Sequence, residues 1–281
     1  MDYYIPSVAL AVRILKLLSR HKYKSCALKD IAEKLEASPT TCLRVLRTLE
    51  RDDLVRYDHE TKRYSLGPYL IPLGNRAAEL NDAVASASAE IKRIAARTGL
   101  TTVLIQRWDD RLVYIASAEP PAEQVRLSIA VGQQLPMTSG AHGRCFLAYA
   151  DDTEVRRFIG LGIRPVTPAT ITDPRQFVAT LREVRRTGYA ISHGELAPGF
   201  SAVDVPIFGA AGHADLVIST MYVSAQMDEN RLADLIAVLR DATRKLSAWS
   251  GPSAQWGEDP AADRPSEAPP EAALVLEPGR P

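Results

Sequence analysis

Apolar residues recur with helical spacing at the start of the chain. Across residues 7–19 they fall at Val8, Val12, Leu15 and Leu18, and across 28–35 at Leu28, Ile31, Ala32 and Leu35, which predicts two amphipathic helices. A few residues later Ser38 and Pro39 supply an N-cap serine and a proline at the first helical position, opening a third helix that runs to about Arg51. The period then shortens. Residues 54–57 and 63–66 read as two strands around the polar turn 58–62, a β-hairpin directly after the third helix.

Two prolines and two glycines punctuate residues 66–75 (LGPYLIPLGN), and an Ala-rich helical stretch follows over about 82–97. Beyond it, alternating or β-branched runs at 101–108, 111–118, 125–129, 189–193, 202–208 and 216–223 predict six strands. Helical stretches at 139–149, 152–159, 174–187 and 228–248 interleave with them. Most strand-to-strand links are too short for parallel crossovers, so the expected class is α+β with an antiparallel sheet. The resulting layout is a first domain of three helices and a hairpin at 1–75, a linker helix at 76–98, a second domain at 99–249 and a Pro-, Ala- and Glu-rich tail at 250–281. That tail has too little apolar periodicity to offset the entropy of ordering and is expected to be disordered.

Composition changes this picture little. A chain of 281 residues, 46% hydrophobic and 24% charged, accommodates two globular domains, and no apolar run approaches a membrane span. No signal-peptide pattern opens it, so a soluble cytoplasmic protein is expected, with no membrane partner. The three cysteines form no CxxC pair and suggest neither disulfide framework nor zinc cage. Charge matters more. The net charge is zero, yet residues 1–75 carry an excess of about four positive charges and the tail about four negative ones, the asymmetry of a chain with one nucleic-acid-binding end.

The third helix gives that asymmetry a shape. Cys42, Val45, Leu46 and Leu49 share one stripe, and Thr40, Arg44, Arg47 and Arg51 the opposite one. Such a helix packs by its apolar seam while Thr and Arg side chains enter a major groove; a surface helix with solvated arginines has the same pattern. The hairpin decides between them, because a basic tip at Lys62 and Arg63 can reach backbone phosphate. In the second domain, Thr138, Ser139 and Gly140 precede a helix whose free N–H groups and dipole favour an anion such as a carboxylate; an ordinary capped helix fits the same residues.

The motif LEASPTTCLRVLRTLERDDLV followed by KRYSLGPYLIPLG resembles the winged helix-turn-helix of the IclR family of bacterial regulators, and the resemblance covers about residues 7 to 247. GQQLPMTSGAHGRCFLAY, RRTGYAISHGELAPGFSAVDVPIF and LVISTMYV carry it through the second half. It implies DNA contacts by Ser38, Thr40, Thr41, Arg44 and Arg47, with Leu43 standing where a polar residue is frequent. It also implies a GAF-like effector domain, a curved antiparallel sheet with a pocket lined by Leu127, Leu135, Ala141, His142, Ser192, Phe200, Ala202, Ser219 and Met221. Ser139, Gly140 and His193 complete the candidate effector set. His142 departs from the family, where a small residue is usual, and Ser192-His193 stands where an acidic residue is often found.

The expected function is a regulator without cofactor or catalysis. As a homodimer or dimer of dimers it would bind double-stranded DNA at a pseudo-palindromic operator and answer to a small organic or aromatic carboxylate. Two alternatives use the same residues differently. A hydrolase would take Cys145 as nucleophile, His142 or His193 as base and Glu195 as orienter, and a metal or redox sensor would use His142, His193, His213 and the cysteines.

Overall fold

The computed structural model describes residues 3–20, 23–120 and 127–247. The expected tail at 250–281 lies outside them. The N-terminal unit comprises α1 (Pro6–Leu18), β1 (Cys26–Ala27), α2 (Leu28–Leu35), α3 (Pro39–Arg51), β2 (Val55–Asp58) and β3 (Arg63–Leu66). The turn between α2 and α3 takes three residues because Glu36 adopts the left-handed conformation (φ 51°), and Arg13 Nη2 donates to the Leu35 carbonyl at 2.5 Å. A guanidinium there satisfies a helix-terminal acceptor and complements the negative end of the helix dipole. Strand β3 sits between β1 and β2, and the hairpin pairs Val55 with Leu66 through to Asp58 with Arg63.

Cys42, Val45, Leu46 and Leu49 are buried against α1 and α2 as the helical period of α3 predicts. Helix α1 differs from its sequence reading. Its core stripe is Leu10, Ile14, Leu17 and Leu18, whereas Val8 and Val12 lie on the other side, 56% and 45% exposed. The helix carries two apolar stripes, and its own core can take only one.

Residues 66–75 were expected as a boundary loop; instead α4 (Leu70–Glu79) begins within them. Pro72 is accepted because it occupies the first turn, where its missing N–H would have had no helical partner. No residue of α4 is buried. The Ala-rich helix α5 (Asp82–Thr98), expected as a linker, packs Ala87, Ile91, Ile94 and Ala95 into the core of the second unit. Ala at those positions lets the helix approach the sheet closely, and Asn81 caps its N-terminus through Val84 N–H at 3.1 Å.

That sheet comprises β4 (Thr101–Trp108), β5 (Arg111–Ala118), β6 (Gln134–Pro136), β7 (Ala190–His193), β8 (Phe200–Phe208) and β9 (Ala214–Val223). Its order is β6-β5-β4-β9-β8-β7 and every pairing is antiparallel, the α+β class expected. The strand expected at 125–129 is not formed over its described part, 127–129, and the short β6 stands in its place at the sheet edge. Helices α6 (Gly140–Leu147), α7 (Asp152–Gly160) and α8 (Pro174–Thr187) share a core with Val103, Ile105, Tyr114 and Val217 on one face. Helices α5 and α9 (Glu229–Ser247) cover Leu104, Val203, Val205 and Ile218 on the other. Among the described residues no helix is long and apolar enough to cross a membrane.

Leu46 has no solvent exposure, so Leu46→Ala is expected to destabilise the N-terminal unit by about 2–5 kcal/mol. Exposed Thr48→Ala should stay within about 0.5 kcal/mol. Denaturant midpoints of the two variants compare them directly; equal shifts would contradict the packing described.

Candidate functional site

The exposed face of α3 carries Ser38, Thr40, Thr41, Arg44, Arg47 and Arg51. Ser38 occupies the N-cap position, yet its hydroxyl makes no capping bond. Neither Arg44 nor Arg47 is paired with a carboxylate among the described residues, so both charges are available to an outside partner. Leu43 is half-buried, consistent with a residue that covers neighbouring apolar surface.

The hairpin tip is fixed by Asp58, whose Oδ1 accepts from Glu60 N–H at 2.9 Å and Thr61 N–H at 3.1 Å. Lys62 takes a left-handed conformation (φ 57°) and stays exposed at the tip. Arg63, expected beside it as a DNA contact, is held elsewhere. Its Nε and Nη2 donate to Ser25 Oγ and Ser25 O at 3.2 Å, and Asp30 lies 3.9 Å from Nη2, so this side chain braces the hairpin against the start of α2.

In the second unit, α6 starts on a constrained loop. A Cβ on Gly143 would lie 1.8 Å from the Met137 carbonyl oxygen, so only glycine lets the helix close down there, and Gly140 (φ 52°) faces Leu196 and Ser192 Oγ. The N–H groups of Gly140, Ala141 and His142 donate to no acceptor among the described residues, although all three residues are buried. Three free donors at the positive end of a helix dipole favour an anion.

Beneath this terminus lies a buried polar chain. His142 Nδ1 bonds Asp204 Oδ2, and His142 Nε2 bonds the Tyr114 hydroxyl at 2.9 Å. The Asp204 carboxylate can only accept, so Nδ1 carries the hydrogen given to it, and in the neutral imidazole Nε2 then accepts from the Tyr114 hydroxyl, whose pKa burial pushes well above its ordinary value. On the same sheet face, the register aligns Met221, Ala202 and Ser192 in one row and Ser219 with Asp204 in the next. Thr101 Oγ1 accepts from Leu127 N–H at 3.2 Å, holding Leu127 over this face.

Volume alone does not mark the site. Hollows of about 500 Å³ beside Asn81 and His213 and about 330 Å³ beside Arg144 and His193 lie off most of these residues, and one of about 160 Å³ touches Leu127 and Met221. Convergent buried polar groups identify it better.

Two family models match the chain: the IclR helix-turn-helix domain over residues 7–59 and the bacterial transcriptional regulator IclR C-terminal domain over 76–248. The chain belongs to the IclR family. Its relatives include the HTH-type transcriptional regulator KdgR of Escherichia coli, 28% identical over 88% of this chain and 93% of that protein. An IclR transcriptional regulator from Alicyclobacillus acidocaldarius shares 54% identity with a TM-score of 0.85, covering 89% of this chain and all of that one. An IclR homolog from Microbacterium hydrocarbonoxydans, complexed with 4-hydroxybenzoate, has the same fold at 20% identity (TM-score 0.72, 86% of this chain and 98% of that one). This IclR-family chain is thus a transcriptional regulator with a DNA-binding helix-turn-helix and an effector domain.

Within this IclR effector domain the structure gathers Ser139, Gly140, Ala141, His142, Ser192, Ala202, Ser219 and Met221 around the α6 terminus and the adjoining sheet face, with Leu127 above. Leu135 sits on edge strand β6 opposite Leu112, and Phe200 at the start of β8. His193 does not join them. Alternation along β7 buries Ser192 and leaves His193 exposed, so the two imidazoles do not converge on one ligand.

The hydrolase arrangement is not assembled either. Glu195 forms a bidentate pair with Arg144 at 2.7 and 2.8 Å, and Cys145 Sγ donates to the Asp204 carbonyl at 3.4 Å. Burial pushes that thiol far above its usual value. No group of three or more metal-ligating side chains occurs among the described residues.

Tyr114 and Asp204 are site residues that the sequence reading passed over. Asp204 left a signal, a lone charge inside the apolar run AVDVPIF; Tyr114 left none.

His142→Ala leaves the Asp204 carboxylate buried without its hydrogen-bond donor, so it should cost about 1–3 kcal/mol or more. A loss below about 1 kcal/mol in denaturant unfolding would contradict the buried chain. Backbone hydrogen bonding by Thr61, then Glu60, holds the Asp58 carboxyl below its ordinary value. Its contribution to the hairpin is present above the ordinary carboxylate value and disappears as pH falls through the lowered one. An NMR titration of Asp58 should give a midpoint below that of an unstructured peptide; one at or above it would refute the turn geometry.

Proposed function

We propose that this regulator binds a pseudo-palindromic operator as a dimer, through Ser38, Thr40, Thr41, Arg44 and Arg47 of α3 in the major groove and Lys62 of the hairpin on backbone phosphate. The carrying observation is the two-sided character of α3: its apolar stripe is buried, while Thr40, Thr41, Arg44 and Arg47 are exposed and the arginines have no carboxylate partner among the described residues. Arg donates bidentately to guanine edges, whereas Lys62 meets phosphate as a point charge. The bracing of Arg63 favours a positioning role for it. A DNA partner puts the chain in the cytoplasm.

Dimerisation is supported by apolar surface without an intramolecular partner. Ile5, Val8 and Val12 of the α1 region and Ile71, Leu73 and Leu80 in or beside α4 are 45–69% exposed. Exposed apolar side chains grouped in this way on α1 and on α4 suit a contact surface. Two α3 helices set by such a contact would read half-sites about 34–36 Å apart.

The effector is a small carboxylate held at the α6 N-terminus, where Gly140, Ala141 and His142 offer three unspent N–H donors. The 4-hydroxybenzoate of the Microbacterium protein is an organic acid in a protein of the same fold. A bound carboxylate changes operator affinity only through different affinities for the two domain arrangements, which α4, with no buried residue, leaves free to differ.

Titration of the chain's upstream intergenic DNA at two salt concentrations tests the reading. Arg44→Ala should cost about 1–3 kcal/mol and relax base preference at one position, while Lys62→Ala should weaken all sequences alike and reduce the salt slope by about one. Equal, sequence-independent effects of both variants would contradict the groove assignment.

A further inference from the structure

Charge divides the chain into three parts. Residues 1–75 carry thirteen Lys and Arg against nine Asp and Glu, residues 76–249 carry nineteen of each, and residues 250–281 carry six acids against two arginines. The tail's excess of four negative charges is therefore matched in size by the N-terminal unit and by nothing in the neutral unit to which the tail is attached. The matched IclR C-terminal domain ends at residue 248, so the tail is an addition to the plan common to the family.

The positive charge of the N-terminal unit is concentrated on one face. Arg13 is spent on the Leu35 carbonyl and Arg63 on Ser25 and Asp30. Arg44, Arg47 and Arg51 of α3 and Lys62 at the hairpin tip are exposed and form no salt bridge among the described residues. The single carboxylate of α3, Glu50, is half-buried. A face of this kind attracts any polyanion.

The tail is such a polyanion, already tethered. Glu258 stands 11 residues past Ser247, the last described residue, and Glu277 stands 30 past it. At about 3.3–3.6 Å per residue these spans reach up to about 40 and about 100 Å. A unit of about 150 residues has a radius of gyration of about 15 Å, so the tether is long enough to pass over the effector unit.

We propose that the acidic segment 258–277 occupies the exposed face of α3 and the hairpin tip in the free regulator, and that DNA must displace it. This rests on the reading of α3 as the helix that enters the groove. Each exposed ion pair contributes little, but a tether holds all six acids at a local concentration on the order of a millimolar. Operator and random duplex both require the tail to leave, so both lose affinity by the same factor and the ratio between them is unchanged. Ions taken up by the released tail and recovered on DNA binding offset one another, which makes the salt slope of the full chain shallower.

A charge-neutralised full chain tests the inhibition. It combines Glu258→Gln, Asp259→Asn, Asp263→Asn, Glu267→Gln, Glu271→Gln and Glu277→Gln, all outside the described fold. At 50 mM salt it should bind operator and random duplex about three- to tenfold tighter than the parent, and the difference should shrink below about twofold at 0.3 M. A nitroxide attached through Ser266→Cys tests the contact, since the three native cysteines are buried. It should broaden the amide signals of α3 and the hairpin tip, and operator or 0.3 M salt should restore them.

Tighter DNA binding without that broadening shows a long-range field in place of a contact and overturns the proposal. Broadening confined to other surfaces, or unchanged affinity in the neutralised chain, overturns it as well. In each of these cases a base-specific effect of Arg44→Ala leaves the groove reading standing. Broadening of α3 that persists with operator bound overturns the proposal and the groove reading together.

Discussion

A sheet covered by helices on both faces leaves its polar side chains no water to fall back on. Each must be paired within the protein or held for something that enters, since an unpaired buried group carries the full cost of its lost hydration. Here α5 and α9 cover one face and α6, α7 and α8 the other. On the first face the requirement is met internally: Thr102 and Thr220 hydrogen bond to each other at 3.1 Å. On the second it is met in part, by Tyr114, His142 and Asp204 in series, and the remainder collects beside the α6 terminus. An asymmetry in hydrogen bonding thus separates the structural face of the sheet from the face that carries the proposed effector site.

Rigidity on the ligand face comes from two contacts that need particular residues. Gly143 allows backbone contact between α6 and the Met137 carbonyl, and Arg144, one residue on, spends its guanidinium on Glu195 and the Ile191 carbonyl. These fix the helix terminus against β7 and the loop after it, so the free amides are presented by a firmly held element. The DNA side is organised on the same plan. Arg13 and Arg63 are consumed in bracing α2 and the hairpin, whereas Arg44, Arg47 and Lys62 make no salt bridge among the described residues. Between the two units lies α4, whose lack of buried residues makes it the place where their relative arrangement is least constrained by this chain alone.

How much of this was legible depended on whether a local pattern or a long-range pairing decided the feature. Residues 39–51, 101–108, 111–118 and 174–187 were read to the residue because caps, turns and periodicity are local. Helix α4 was missed because Pro and Gly were read as breaks, although Pro72 falls in the one turn that tolerates it. The second stripe of α1 was misassigned because Val8 and Val12 repeat as regularly as Leu10 and Ile14 do. His142 was noticed as a departure, but its partners Tyr114 and Asp204 lie 28 and 62 residues away, beyond any periodicity. Arg63 and His193 were drawn into the candidate sites by charge and proximity in sequence, and strand geometry gave both other surroundings.

The central claim is that one ligand site and one DNA site are thermodynamically linked through this chain. Its most direct test measures operator affinity with and without saturating acid, and acid affinity with and without saturating operator. Linkage requires that the two ratios be the same factor, in the range of about 5–150 usual for such coupling. Acid affinity unchanged by operator, or operator affinity unchanged by a tightly bound acid, would contradict the account.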